Sequence, residues 1–377
     1  MLQPDGIVDG TAGDDAMGPG HSDGATDASG TGDDILRGYA GNDTMDGGSG
    51  NDRLEGGDGN DSVLGGDGND TLWGGNDRDT LLGGLGDDVF LAYASDGDNG
   101  FLGGDGTDRI LAMVDGANVG IDGNFDATNS IEVIDANGFA NVSIYSVDAQ
   151  AAFLDFSGPT LIDIAGIYGE SNNDTIIGSL SADVIHGGTG DDSLDGGAGA
   201  DTFGIEDGFG ADTILGGEGG IDADTIHLAA LTNAVSVIYN GDEAGTITDG
   251  VGTIDFSVIE RIVFTELDDI ADASATTTGV TIDGGESADS ITGGDGDDHL
   301  IGDGTGPGAG PPFSGATRPL RQLRSPADRR RSTGSRSTTS APEPATASTN
   351  RTGWTASTPA TAPQTRTARS TWTMRAS

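Results

Sequence analysis

The sequence has no cysteine, which excludes disulfides and thiolate metal sites and leaves stabilisation to other means. Lysine is absent too, so all 16 basic residues are arginine. Only 34% of the chain is hydrophobic and 5% aromatic, which supplies a conventional core poorly over 377 residues. No run of about 18 apolar residues occurs, so no membrane span is expected. The start, Met1-Leu2-Gln3-Pro4-Asp5, offers neither a basic segment nor an apolar run, and no secretory signal peptide is expected. His-Glu-x-x-His is missing, and His21, His186, His227 and His299 are scattered. Surface or turn roles suit them better than zinc ligation or proton transfer.

Glycine and acid fill the chain instead. There are 68 glycines and 63 acidic residues. Residues 1–306 hold 61 of those acids and five of the arginines, a net charge of −56. Such a body repels nucleic acid and anionic membranes, and it must stay unfolded or recruit cations.

From Ser29 to Leu91 a nine-residue unit repeats seven times without a gap, as in Gly47-Gly48-Ser49-Gly50-Asn51-Asp52-Arg53-Leu54-Glu55. Glycines at positions one, two and four allow positive φ and a sharp turn. Position six is always Asp, and position eight holds Leu36, Met45, Leu54, Val63, Leu72, Leu81 and Phe90. One apolar residue between polar or small ones reads as a very short strand with a single inward side chain. One buried side chain per nine ordered residues leaves most of the backbone entropy cost uncompensated. Carboxylate repulsion deepens the deficit. A cation would close it, and calcium suits best: it accepts mixed carboxylate and carbonyl oxygens, while magnesium is stricter and zinc prefers His or Cys.

These units resemble the Gly-Gly-x-Gly-x-Asp-x-apolar-x repeats of RTX, or haemolysin-type, calcium-binding proteins. The resemblance implies an all-β chain: a parallel β-roll, or β-solenoid, with two nonapeptides per coil and Ca2+ ions held between successive turns on each side. It carries the role of metal ligand to Asp34, Asp43, Asp52, Asp61, Asp70, Asp79 and Asp88. The same position in later copies adds Asp108, Asp174, Asp183, Asp192, Asp201, Asp212, Asp289 and Asp298. Two-sided stacking of the first block alone implies roughly five ions.

Taken in order, residues 1–28 are a worn approach to the repeats, and within them Gly20-His21-Ser22-Asp23-Gly24 matches a hydrolase elbow by chance, without the strand and helix that motif needs. Residues 29–111 form the first block, with Tyr39 at position two and Asp77 at position four replacing glycine, so a distorted turn and a weaker site are expected at Asp77. Residues 112–168 carry short alternating runs such as Val142/Ile144 and Leu154/Phe156, read as longer coils of the same solenoid, with an independent small β-domain as the alternative. A second block spans 169–227, in which Asn172 and Ser181 replace glycine. Residues 228–283 form another spacer, where Asp255-Phe256-Ser257 echoes Asp155-Phe156-Ser157 and suggests a repeated module. A third block, 284–306, has Ser287 in a glycine position.

From 307 to 377 proline, Ser/Thr and arginine take over. One reading is a basic disordered tail that binds an acidic partner or the body. The favoured reading is repeat-coding DNA translated out of frame. A GC-rich run encoding Asp192-Ser193-Leu194-Asp195-Gly196 would give Thr-Ala-Trp-Thr-Ala one base late, and the tail holds Thr352-Gly353-Trp354-Thr355-Ala356 and Thr371-Trp372-Thr373. Its two tryptophans lie two nonapeptides apart.

For function, the resemblance implies type I export from a Gram-negative bacterium, through secretion machinery that reads the true C-terminus, and folding outside the cell on binding calcium. A structural or adhesive module facing a surface polysaccharide or cell-surface partner is the first reading. The second is the repeat part of a secreted polysaccharide-modifying enzyme, protease or lipase, for which Glu260 and Arg261 are the residues to watch. The third is a fragment of a larger RTX protein without an independent role.

Overall fold

The structure, a computed structural model, describes residues 7–20, 30–94, 96–146, 150–217 and 223–302. All lie in the first of two units, Met1–Ser332; the second, Thr333–Ser377, falls outside the described residues, as do the tail and its two readings and most of the Gly-x-Ser-x-Gly motif. The described chain is a parallel β-solenoid of about 13 turns. No helix among the described residues is long and apolar enough to cross a membrane.

In the first block, strands Ile35–Ala40, Arg53–Asp58, Thr71–Asn76, Val89–Ala92 and Arg109–Ala112 stack on one side of the coil. Thr44–Ser49, Ser62–Asp67, Thr80–Leu85 and Gly100–Asp105 stack on the other. The register follows the repeat: Leu36 faces Leu54, Leu54 faces Leu72 and Leu72 faces Phe90, two nonapeptides per coil. Every position-eight residue from Leu36 to Phe90 is buried, so the core is one column of apolar side chains per side. Most strands here are six residues long rather than very short, running from position seven through position three of the next unit, while Val89–Ala92 and Arg109–Ala112 have four. The alternation therefore brings a second residue inward, the position-one glycine, as in the buried Leu54 and Gly56 of Arg53–Asp58.

The spacer after residue 112 continues the stack. Ile134 pairs with Ile110 on one side and Leu161 on the other, and Ile167 joins Ile144 to Ile185 of the second block. Its strands are thus paired with both neighbouring blocks and do not stand apart. Val133–Asp135, Ser143–Ser146 and Phe153–Asp155 belong to three different sheets, and Thr160–Ile162, Gly166–Tyr168 and Thr175–Ile177 repeat that order. The coil is three-sided here, and the wider interior is filled by Phe125 stacked on Phe156 at 5.3 Å. Thr160–Ile162 ends one of the three faces, and the second block returns to two.

The second spacer departs from the parallel pattern. Ser236–Gly241, Ala244–Thr248 and Thr253–Ser257 form an antiparallel meander inserted into one sheet. Two tight reversals make it. Glu243 takes positive φ at the first, and at the second the Asp249 carboxylate accepts the amides of Val251 and Gly252, both at 2.8 Å. The two Asp-Phe-Ser copies therefore sit differently. The first closes a parallel strand, Phe153–Asp155, and the second lies inside Thr253–Ser257 against an antiparallel neighbour, so their echo marks no repeated module.

Candidate metal centre

Each corner of the roll is built by positions one to six. Position-one glycines such as Gly47 and Gly56 do not take positive φ; those at positions two and four do, as in Gly57 (φ 122°) and Gly59 (φ 119°). The first glycine is needed for space. A methyl group built on Gly47 would stand 2.5 Å from Asp52 Oδ2 and 2.6 Å from the Gly65 carbonyl oxygen of the next coil. Gly38, Gly56, Gly65 and Gly83 show the same convergence of a position-six carboxylate oxygen and a carbonyl from the coil beyond.

The position-six aspartates form rows along each side. One carboxylate oxygen accepts the backbone N–H of the aspartate one coil earlier: Asp34 N–H to Asp52, Asp52 to Asp70, Asp70 to Asp88 and Asp88 to Asp108, all at 2.7–2.8 Å. Asp15, Asp43, Asp61 and Asp79 form the opposite row at 2.7–2.8 Å. In the second block, Asp174 donates to Asp192, Asp183 to Asp201, and Asp192 to Asp212, at 2.8–2.9 Å. The other oxygen is left over. Oδ2 of Asp43, Asp52, Asp61, Asp70, Asp79, Asp88, Asp108, Asp174 and Asp192 is buried and accepts no hydrogen bond. A buried carboxylate oxygen without a partner is costly, and here it points, beside a carbonyl oxygen, into the space the missing Cβ leaves.

Electrostatics gives the same picture. Burial, aided by neighbouring aspartates, pushes Asp52, Asp61 and Asp192 up to about 6 and Asp79, Asp88 and Asp212 up to about 7, against the lowering effect of the backbone N–H each accepts. These corners offer acceptors without donors, the chemistry of a hard cation site. Among the described residues no three His, Asp or Glu side chains come together. A cation at a corner would thus draw on one carboxylate and on backbone carbonyls, which suits calcium better than zinc.

Where glycine is replaced, the backbone often keeps its conformation. Tyr39 (φ 73°), Asp77 (φ 73°), Asn172 (φ 87°) and Ser287 (φ 79°) all hold positive φ. The Asp77 turn keeps its shape and Asp79 stays buried; the change falls on the row, where Asp79 donates to Asn99 Oδ1 at 3.1 Å instead of to an aspartate. Asp289 and Asp298, in the third block, are only half-buried. Asp34 and Asp183 differ from the rest: their Oδ2 accepts the amides of Gly30 (2.9 Å) and Ser179 (2.6 Å).

Several members of the rows were not anticipated. Asp224 and Asp269 are buried at equivalent places, accepting from Asp201 at 2.8 Å and Val235 at 2.7 Å. Glu132 and Glu260 end two rows by accepting from Asp108 and Asp224, both at 2.7 Å. Arg261 pairs with Asp283 at 3.1 Å. Glu260 and Arg261 thus have structural partners in the stack. The Asp-x-apolar triplets at 224 and 269 were the available signal. Asn and Asp at position five form a further ladder in the opposite direction, with Asn60 and Asn69 amides donating to Asn42 and Asn51 Oδ1 at 2.9 and 2.8 Å. Among the described residues the histidines do not gather: His186 stacks on Tyr168 at 4.6 Å, which stacks on Tyr145 at 4.7 Å, and burial holds its imidazole below the ordinary range.

Comparison with known families agrees with this geometry. The model of the RTX calcium-binding nonapeptide repeat matches four times, at residues 28–54, 55–90, 168–203 and 281–304. No curated protein matches the chain.

Proposed function

From a chain that carries RTX calcium-binding nonapeptide repeats, we infer a secreted structural or adhesive protein whose solenoid orders as calcium fills its corners. The row of buried, partnerless Oδ2 atoms from Asp43 to Asp108 carries this reading. Calcium supplies the positive charge that offsets those carboxylates and the body's net charge of −56. The chain does the rest. Position-one glycines keep the space open, positions two and four turn the carbonyls, and the position-six N–H chain fixes the spacing between coils.

Extracellular modules typically bind calcium at about 10⁻⁴–10⁻³ M, so a chain that is loose at low cytosolic calcium and ordered outside is compatible with type I export. The exposed faces offer a polysaccharide or cell surface a repetitive acidic array, and the repeat blocks at 29–111, 169–227 and 284–306 serve as its calcium-dependent parts. Circular dichroism of the purified chain tests this. Strand signal that grows on adding millimolar calcium to a chelated sample is expected, and a spectrum indifferent to calcium would overturn the reading.

A further inference from the structure

Most corners take one of two conformations, and the backbone at position two separates them. At Asp52, Asp61, Asp70, Asp88, Asp108 and Asp192 that residue is a glycine with φ between 96° and 122°. No amide donates to Oδ2 there, and it stays open. Tyr39 and Glu170 hold φ of 73° and 71° at the same place, and the oxygens of Asp43 and Asp174 are open too. Positive φ in a non-glycine residue is strained, so two corners bear strain to remain open.

The second conformation recurs at three separated places. Thr11, Ser179 and Thr265 occupy position two without positive φ. Their amides donate to Oδ2 of Asp15 (2.6 Å), Asp183 (2.6 Å) and Asp269 (3.0 Å). Each hydroxyl accepts the amide of position four: Gly13 at 3.3 Å, Ser181 at 3.1 Å and Leu267 at 3.0 Å. The hydroxyls of Thr11 and Thr265 also donate to the carboxylate, at 3.0 and 2.7 Å. This is the local hydroxyl turn that Ser and Thr favour, and it satisfies the oxygen left bare elsewhere. The Asp34 corner, with Gly30, is the same turn without the hydroxyl.

We propose that position two decides whether a corner takes a cation: corners with positive φ there hold calcium, whereas the Ser/Thr-closed corners at Asp15, Asp183 and Asp269 hold none and act as cation-independent clamps on the stack. The proposal rests on the calcium reading above. It divides the aspartates otherwise than the nonapeptide does, since Asp183 sits at position six of a contiguous unit yet belongs to the closed class.

Native mass spectrometry of the full chain, saturated with calcium and counted ion by ion, tests it. Asp183→Asn is expected to leave the count unchanged, because the amide oxygen can still accept from Ser179, while Asp192→Asn lowers it by at least one. A count that falls in Asp183→Asn as it does in Asp192→Asn would overturn the proposal while leaving the calcium reading intact. A wild-type chain that takes up no calcium would overturn both.

Discussion

The first repeat block and the spacer after it share one stack and one register, yet they are held together differently. Each coil of the block extends one column of apolar side chains per side and adds two buried carboxylates, most with a bare oxygen. The spacer adds a third face, fills it with Phe125 and Phe156, and among the described residues has no buried aspartate between Asp108 and Asp174. A row that would have continued past Asp108 is closed by Glu132. Parallel stacking alone therefore does not create the need for a cation. The need comes from narrow coils, which have little apolar area and place a carboxylate at every corner.

The widest gap between the two regions should appear with pH in the absence of calcium. Asp79 and Asp88, pushed up to about 7 by burial, and Asp52 and Asp61, pushed up to about 6, bind protons more tightly in the folded chain than unfolded, where the value is 3.8. The cation-free block then gains stability as pH falls from 8 through 7 and 6 towards 4, and loses it as pH rises. Exchange-resolved urea unfolding in chelator at pH 5 and pH 8 should show a strong acid preference in residues 30–112 and little in 117–168. With calcium present the trend reverses, because protons compete for the same oxygens.

Phe156→Ala should cost about 3–5 kcal/mol by emptying the three-sided core, and the loss should be equal with and without calcium in denaturant titrations. Gly56→Ala sharpens the contrast from the other side. Its Cβ would meet Asp61 Oδ2 and the Gly74 carbonyl, so a loss of roughly 1–3 kcal/mol is expected, together with weaker calcium uptake. Gly138 in the spacer has nothing within 4 Å of its Cβ position; Gly138→Ala should cost only about 1 kcal/mol through its φ of 76° and leave calcium uptake unchanged. The smallest effect is expected of Tyr39→Gly. Relief of positive φ should stabilise by up to about 1 kcal/mol, less the hydrogen bond from Tyr39 to Asp9 at 3.1 Å, and thermal melts in calcium would register it.

Much of this was legible because the period is strict. Asp at position six and an apolar residue at position eight, recurring without a gap, imply two-unit coils, buried columns and an oxygen-ligated cation. What escaped the sequence reading breaks the spacing. Asn99 and Glu132 close rows across 20 and 24 residues, off the nine-residue period, and Glu260 closes one across 36, past a spacer without repeat units. Asp269 has Phe264 and Thr265 where the glycine pair would stand, which hides its membership. The meander at 236–257 depends on two local reversals that a search for parallel coils passes over. Ser181 reads as a weakened glycine although it belongs to a different turn, braced by the Ser179 hydroxyl, and the position-one glycine reads as one more positive-φ position when its use is the absence of a Cβ.

The central claim is that calcium orders the repeat coils while the spacer orders itself. Amide hydrogen exchange across the full chain, in chelator and in millimolar calcium, measures this directly. The account predicts calcium-dependent protection concentrated in residues 30–112 and in the open corners of the second block, with protection in 117–168 largely retained in chelator. Protection that rises evenly along the whole solenoid, or that does not change with calcium in the first block, would contradict it.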